Sequence, residues 1–215
     1  IRRISFKDSC GREKKILVCE HPYGANSSAM ATAMAKAGIK KIIFYGTCGF
    51  MSPARKYSVI IPRQIMHGAA DESYSAAEVN KAPLHAFQNS IYSKANDIAT
   101  AASEIRASEG AGTAAGVIFT GKHRSVFSPL AETMEFINGC RAGFIESVDV
   151  EAGCLFGAPD TEKVEKAAIF IASDFPGTPS TLENWERESG DYIKAQMKVL
   201  DLIIEDLDIK EILLK

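Results

Sequence analysis

Carboxylates stand where apolar segments end. Asp174 follows Ser173 at the close of the run 167–172, Ala-Ala-Ile-Phe-Ile-Ala, which holds no polar residue. An acid at the end of such a segment lies in a crevice, where burial raises a carboxyl pKa and lets it donate a proton near neutral pH. Phe175, Pro176 and Gly177 come next, so a loop is expected there, although a helix cap would also suit Asp174. Glu151 stands in Asp149-Val150-Glu151-Ala152, with Glu146 upstream. Carboxylates in so apolar a stretch are costly unless hydrogen-bonded. A glutamate there can accept from the two vicinal hydroxyls of a ribose, or the acids can complement a helix N-terminus. Two glycine-bearing segments complete the set. Gly24-Ala25-Asn26-Ser27-Ser28 can offer helix-start N–H groups to an anion or a sugar hydroxyl. Gly46-Thr47-Cys48-Gly49 reads as a turn that lets a ligand reach the backbone, with Thr47 able to donate to a phosphate oxygen or hold a water.

The elements between these points alternate. Residues 1–8 read as an edge strand, 9–14 as a turn and 15–20 as a buried strand. A helix of small residues is predicted at 27–37, with Asn26 or Ser27 as its N-cap and Gly38 past its end. Strands follow at 41–46 and 57–66, helical spacing at 80–107, a loop at 108–116 and a short strand at 116–120. A helix at 129–138, a strand at 143–148, a helix start at 150–157 and a strand at 166–173 come next. The last helix, 183–206, carries Ile193, Met197, Leu200, Ile203 and Ile204 on one face. Such alternation means an α/β layer fold with helices over a mostly parallel or mixed sheet. Ligands in such folds bind where strand ends meet helix starts, which is where the polar residues above stand.

Composition narrows the function. The chain has 215 residues, 46% hydrophobic and 24% charged, with a formal net charge of −2. That is enough chain for one globular domain with a sizeable core. It lacks the basic excess of a phosphate-driven nucleic-acid binder, and no apolar run is long enough for a membrane helix. The start, Ile1-Arg2-Arg3-Ile4-Ser5-Phe6, is too polar for a signal peptide. The five cysteines form no CxxC pair and no histidine lies at ligand spacing, so buried reduced thiols in a cytoplasmic protein are expected, and no metal site.

In this order the segments resemble the nucleoside phosphorylase and nucleosidase superfamily, over about residues 15–207 and most closely the bacterial hexameric purine type. Gly24-Ala-Asn-Ser-Ser resembles its first glycine turn. The stretch 37–49, ending Phe44-Tyr45-Gly46-Thr47-Cys48-Gly49, resembles its glycine strand-turn. Val148-Asp149-Val150-Glu151-Ala152-Gly153 resembles its Glu-Met-Glu-Ala segment, and Ser173-Asp174 its catalytic Ser-Asp. Glu186-Arg187 stands at the spacing of the Glu-Arg that follows in the purine enzymes, and 121–127 lacks the base clamp of uridine phosphorylases. The resemblance implies a single-domain three-layer αβα fold with a central mixed β-sheet over residues 1–215, without the family's usual N-terminal strand.

It implies a small-molecule purine nucleoside as ligand, cleaved by phosphate to free base and ribose 1-phosphate, with no cofactor beyond inorganic phosphate as co-substrate. Asp174 would protonate purine N7 with Arg187 in support, and Glu151 would hold the ribose hydroxyls. Val150 would pack under the sugar, Phe127 would stack on the base, Thr47 would contact phosphate, and Gly24 and Ser173 would complete the site. A homo-oligomer, as dimers or trimers of dimers, is also implied. Two departures leave other chemistry open. Phe44 stands where the phosphorylases place a phosphate-binding arginine, and the family's second arginine comes from a segment upstream of Ile1. Arg55, Lys56, Arg63 or Lys122-His123-Arg124 are the candidate replacements. The alternatives are a hydrolytic nucleosidase that uses water, or a non-catalytic relative that binds or stores a nucleoside.

Overall fold

Alternating apolar and basic residues form β1 (Arg2–Lys7), which pairs antiparallel with β2 (Glu13–Val18), Arg2 opposite Val18 and Lys7 opposite Glu13. The computed structural model describes residues 2–7, 11, 13–20, 24–51, 58–67, 118–126, 128, 130 and 132–178. The helical stretch 80–107, the loop 108–116, the last helix 183–206, Phe127 and Arg187 lie outside them. The sequence reads 15–20 as a buried strand, and among the described residues β2 pairs with β1 in a separate two-stranded ribbon. Strands a few residues apart pair at low loop-closure cost, and here that local pairing prevails.

Next come α1 (Asn26–Lys36), β3 (Lys41–Phe50), β4 (Val59–His67), β5 (Ile118–Ser125), α2 (Met134–Ala142), β6 (Ile145–Asp149), α3 (Ala152–Phe156) and β7 (Glu165–Asp174). Ala25, not Asn26 or Ser27, is the N-cap of α1, because the Ser27 hydroxyl donates back to the Gly24 carbonyl at 2.6 Å. At the other end Gly38 takes φ +84°, and Gly38 and Ile39 donate to Ala35 and Met34, which satisfies carbonyls the helix leaves open.

Five strands close into a barrel in the order β3-β6-β5-β4-β7. β3 runs parallel to β7, β4 to β5, and β5 to β6; the β3–β6 and β4–β7 pairs are antiparallel. Closure differs from the layered sheet implied by the sequence. It arises because β3 does not turn at residues 46–49. Gly46, Thr47 and Cys48 stay opposite Phe170, Ile171 and Ala172 of β7, so buried backbone groups keep partners. A register shift between Cys48 and Gly49 bends the strand end, and Gly49 and Phe50 then reach Val148 and Ser147 of β6.

One core cluster joins Phe44, Phe50 and Phe170 to Leu155 and Phe156, with Ala31, Met34 and Ile39 of the α1 region packed on it. A smaller one holds Cys140, Ile145 and Val148 with Phe136. Lys166 is buried in β7, and its Nζ donates to the Phe156 carbonyl at 2.9 Å and to the Thr161 hydroxyl. Those bonds tie the chain after α3 to the barrel, while burial pulls the amine down to about 8. Cys48, Cys140 and Cys154 are buried free thiols. Among the described residues no helix is long and apolar enough to cross a membrane.

Packing at the bulge makes a prediction. A Cβ on Gly49 would lie 2.6 Å from Pro176 Cγ and 3.1 Å from Val148 Cγ2. Gly49→Ala should destabilise the fold by about 1–3 kcal/mol. Gly139, inside α2 with open space around it, is the control, and Gly139→Ala should stabilise by about 0.5–1 kcal/mol. Thermal unfolding of the two variants reads both.

Candidate active site

The ends of β3, β6 and β7 converge on an open cleft of about 290 Å³. Thr47 comes from β3, Val150 and Glu151 from the β6–α3 junction, Ser173 and Asp174 from the end of β7, and all five line it. Parallel pairing with β3 sets Asp174 opposite Gly49. The Ser173 hydroxyl lies 2.8 Å from Asp174 Oδ1 and 3.3 Å from the Cys48 carbonyl, so its single proton serves the nearer carboxylate. Gly24 joins through its backbone, whose N–H donates to Glu151 Oε1 at 3.2 Å and aims that carboxyl from the start of α1. Burial raises the Glu151 pKa, against the Gly24 bond, which lowers it. Gly24, Thr47, Val150, Glu151, Ser173 and Asp174 thus meet in one place. Phe127 and Arg187 lie outside the described residues.

Beneath the cleft is a buried polar network. Asp149 Oδ1 accepts from the Ser125 hydroxyl, and Oδ2 accepts from the Ala152 N–H at 2.8 Å. Ser125 Oγ in turn accepts from the Gly153 N–H at 2.7 Å. Asp149 and Ser125 thereby take up two of the first N–H groups of α3, in place of a cap by Glu151. His123 Nε2 sits 3.0 Å from Asp149 Oδ1, poorly aligned for a hydrogen bond, and Nδ1 is 2.8 Å from Ser147 Oγ. The ring stacks on Phe170 with centroids 4.2 Å apart. Glu151 is therefore free to face the cleft because Asp149 does the capping.

Glu132 is a lining residue that sequence reasoning missed. Burial, then Asp174, then Asp149 push its pKa from 4.5 to about 7. The sequence reading starts the helix at residue 129, which puts Glu132 inside it. Instead Thr133 caps α2 by accepting from the Phe136 N–H, with Glu135 in the first turn, a start signal that puts Glu132 just outside. His123, Ser125 and Ser147 were also missed as a group, since only strand pairing brings them to Asp149.

The candidate phosphate cations go elsewhere. Lys122 is exposed and reaches the Gly143 carbonyl at 3.4 Å, Arg124 lies 5.0 Å over the Phe136 ring, Arg63 is exposed, and His123 is buried on Asp149. Arg55 and Lys56 lie outside the described residues. Phe44 lines the cleft with its ring centroid 5.5 Å from that of Phe170. Among the described residues no lysine or arginine lines the cleft, and no group of His, Cys, Asp or Glu is placed to hold a metal ion.

Solved structures with this fold include an AMP nucleosidase from Bacteroides thetaiotaomicron (TM-score 0.51, 19% identity, 85% of this chain and 70% of that one). A protein assigned as a 5′-methylthioadenosine/S-adenosylhomocysteine nucleosidase from Borrelia burgdorferi, bound to adenine, matches with TM-score 0.59 and 14% identity over 92% of this chain and 88% of that one. One similarly assigned from Francisella philomiragia matches with TM-score 0.61 and 15% identity over 93% and 90%. The chain shares the fold of these three proteins. No protein-family model matches the sequence, and no curated protein does.

Two stability predictions follow from this geometry. Asp149→Ala would strand the Ala152 N–H, the Ser125 hydroxyl and His123, at a cost on the order of 3 kcal/mol in urea unfolding. Glu132 should do the reverse. Its folded pKa is raised to about 7 from 4.5, so the unfolded chain binds fewer protons between those values and stability falls as pH rises through them. Glu132→Gln should therefore raise the melting temperature relative to the native protein more at pH 8 than at pH 5.

Proposed function

We propose that the protein is a hydrolytic nucleosidase that cleaves the N-glycosidic bond of a purine nucleoside with water. The observation that carries this reading is the charge of the cleft. Glu132, Asp149, Glu151 and Asp174 line it, and among the described residues no lysine or arginine does. At an effective dielectric of about 20, a phosphate dianion roughly 5 Å from one ionised carboxylate is repelled by about 7 kcal/mol. Water carries no such penalty. Phe44, at the position where the resemblance expects a phosphate-binding arginine, brings a phenyl ring and no cation. Hydrolysis is thus favoured over the phosphorolysis that the sequence alone suggested first. Adenine in one of the fold relatives, and the adenine-containing compounds for which all three are named, support a purine.

In the mechanism Asp174 gives a proton to purine N7 as the C1′–N9 bond breaks, so the base leaves neutral. Ser173 orients it. Glu151, held by Gly24 at one oxygen, accepts from the ribose hydroxyls at the other, and Val150 packs under the sugar. Thr47 positions the water. Positive charge develops on the ribose in the transition state, and an acidic, partly dry cleft stabilises it. The same charge repels a 5′-phosphate, so a neutral 5′-substituent fits better than a nucleotide. Arg187 and Phe127 keep their proposed roles beside Asp174 and on the base, and a homo-oligomer remains the proposed assembly.

Base release from adenosine, inosine, 5′-methylthioadenosine and AMP, with and without phosphate, tests this. Release should be indifferent to phosphate, slower from AMP than from 5′-methylthioadenosine, and lowered about 10²–10⁴-fold by Asp174→Ala. Release that requires phosphate would restore the phosphorylase. No release by the folded protein, with intact nucleoside binding, would make it a binding or storage protein.

A further inference from the structure

The cleft's carboxyls differ in what they are committed to. Asp149 has an oxygen on Ser125 and the other on the Ala152 N–H. Glu151 has an oxygen on Gly24, and Asp174 takes the Ser173 hydroxyl. Glu132 lines the same cleft with no hydrogen-bond partner among the described residues. A half-buried carboxyl without a hydrogen bond from those residues is costly, and a ligand or a reacting water that supplies the bond offsets the cost. It stands just before the N-cap of α2 and lines the cleft together with Asp174, whose charge reaches it.

We propose that Glu132 is the general base of this site, the group that takes the proton from the water attacking C1′. The inference rests on the hydrolytic reading above and adds the residue that reading lacks. In the step, a water lone pair forms the O–C1′ bond, and the C1′–N9 electron pair leaves with the purine. Asp174 gives its proton to N7, and Glu132 takes one proton from the water. The products are the free base and the sugar with a 1-hydroxyl. Net proton transfer from Glu132 to Asp174 through solvent then resets the pair. Nothing beyond water is consumed.

Glu132 is faced by Asp174 of β7, Asp149 of β6 and Cys48 of β3, with Cys140 of α2 also within electrostatic reach. Those neighbours and burial hold its pKa near 7, a poise suited to a base that must be ionised at working pH yet still accept a proton.

The test uses the full chain with 5′-methylthioadenosine or adenosine as substrate and adenine as the binding probe. Glu132→Gln should lower kcat about 10²–10⁴-fold and leave adenine affinity and folding intact. The arm of the kcat profile that rises with pH through about 7 should vanish in that variant. Added formate should restore part of the rate to Glu132→Ala. A Glu132→Gln enzyme with near-native kcat would overturn the proposal while leaving the nucleosidase reading in place. So would a loss with the acid arm unchanged and no rescue by formate. A native protein that releases no base at all would overturn both.

Discussion

β7 is held on both sides. It pairs with β3 along nearly its whole length and with β4 at Phe170 and Ile171, and its residues between the two ends are buried. A strand so enclosed must be apolar throughout, and it cannot slip in register without breaking two ladders at once. Its one polar excursion inside, Lys166, is tolerated because a carbonyl and a hydroxyl meet its amine. At the exit, where enclosure ends, Ser173 and Asp174 are delivered to the cleft at a set depth. β3 is held to the same depth by pairing with β7, which fixes Thr47 and the Gly49 approach to Pro176.

The second layer of control is electrostatic. Asp149 is buried at the floor of the cleft, and its charge is met by a hydroxyl and a helix N–H, with an imidazole at ion-pair distance. That arrangement spends one carboxyl on structure so that Glu151, two residues on, can face the solvent-accessible space. Glu132, in the same cleft, has no hydrogen bond among the described residues. Crowding carboxyls in a partly dry cleft destabilises the folded chain, and Glu132 carries the clearest sign of it. Natural sites keep such groups where chemistry needs a proton held or taken near neutrality.

On the proposed hydrolytic reading, the same crowding would act on which molecules enter. An anion would meet repulsion from several directions, while a neutral nucleoside and a water would not. An oxocarbenium-like sugar, cationic as it forms, would gain from the field that disfavours phosphate. A single distribution of charge would then act on the nucleophile, on the 5′-substituent and on the transition state of the proposed reaction.

The α/β class, most of the strands, and the meeting of Asp174, Glu151, Val150, Ser173, Gly24 and Thr47 were legible in the residues, because apolar runs and polar ends are local properties of a chain. The run 166–173 specifies a buried strand whatever it pairs with. Four things were not legible. Whether residues 46–49 turn or continue depends on a partner strand more than a hundred residues away. Whether β2 joins the main sheet or a ribbon depends on which edges are already taken, and so does barrel closure. Glu132 looks like any helix-surface acid until the start of α2 is placed and β6 and β7 are brought beside it. Residue types and their alternation set the elements and the chemistry available at their ends. Only long-range pairing decided which acids share a cleft, because desolvation and charge repulsion depend on distances that the chain order does not encode.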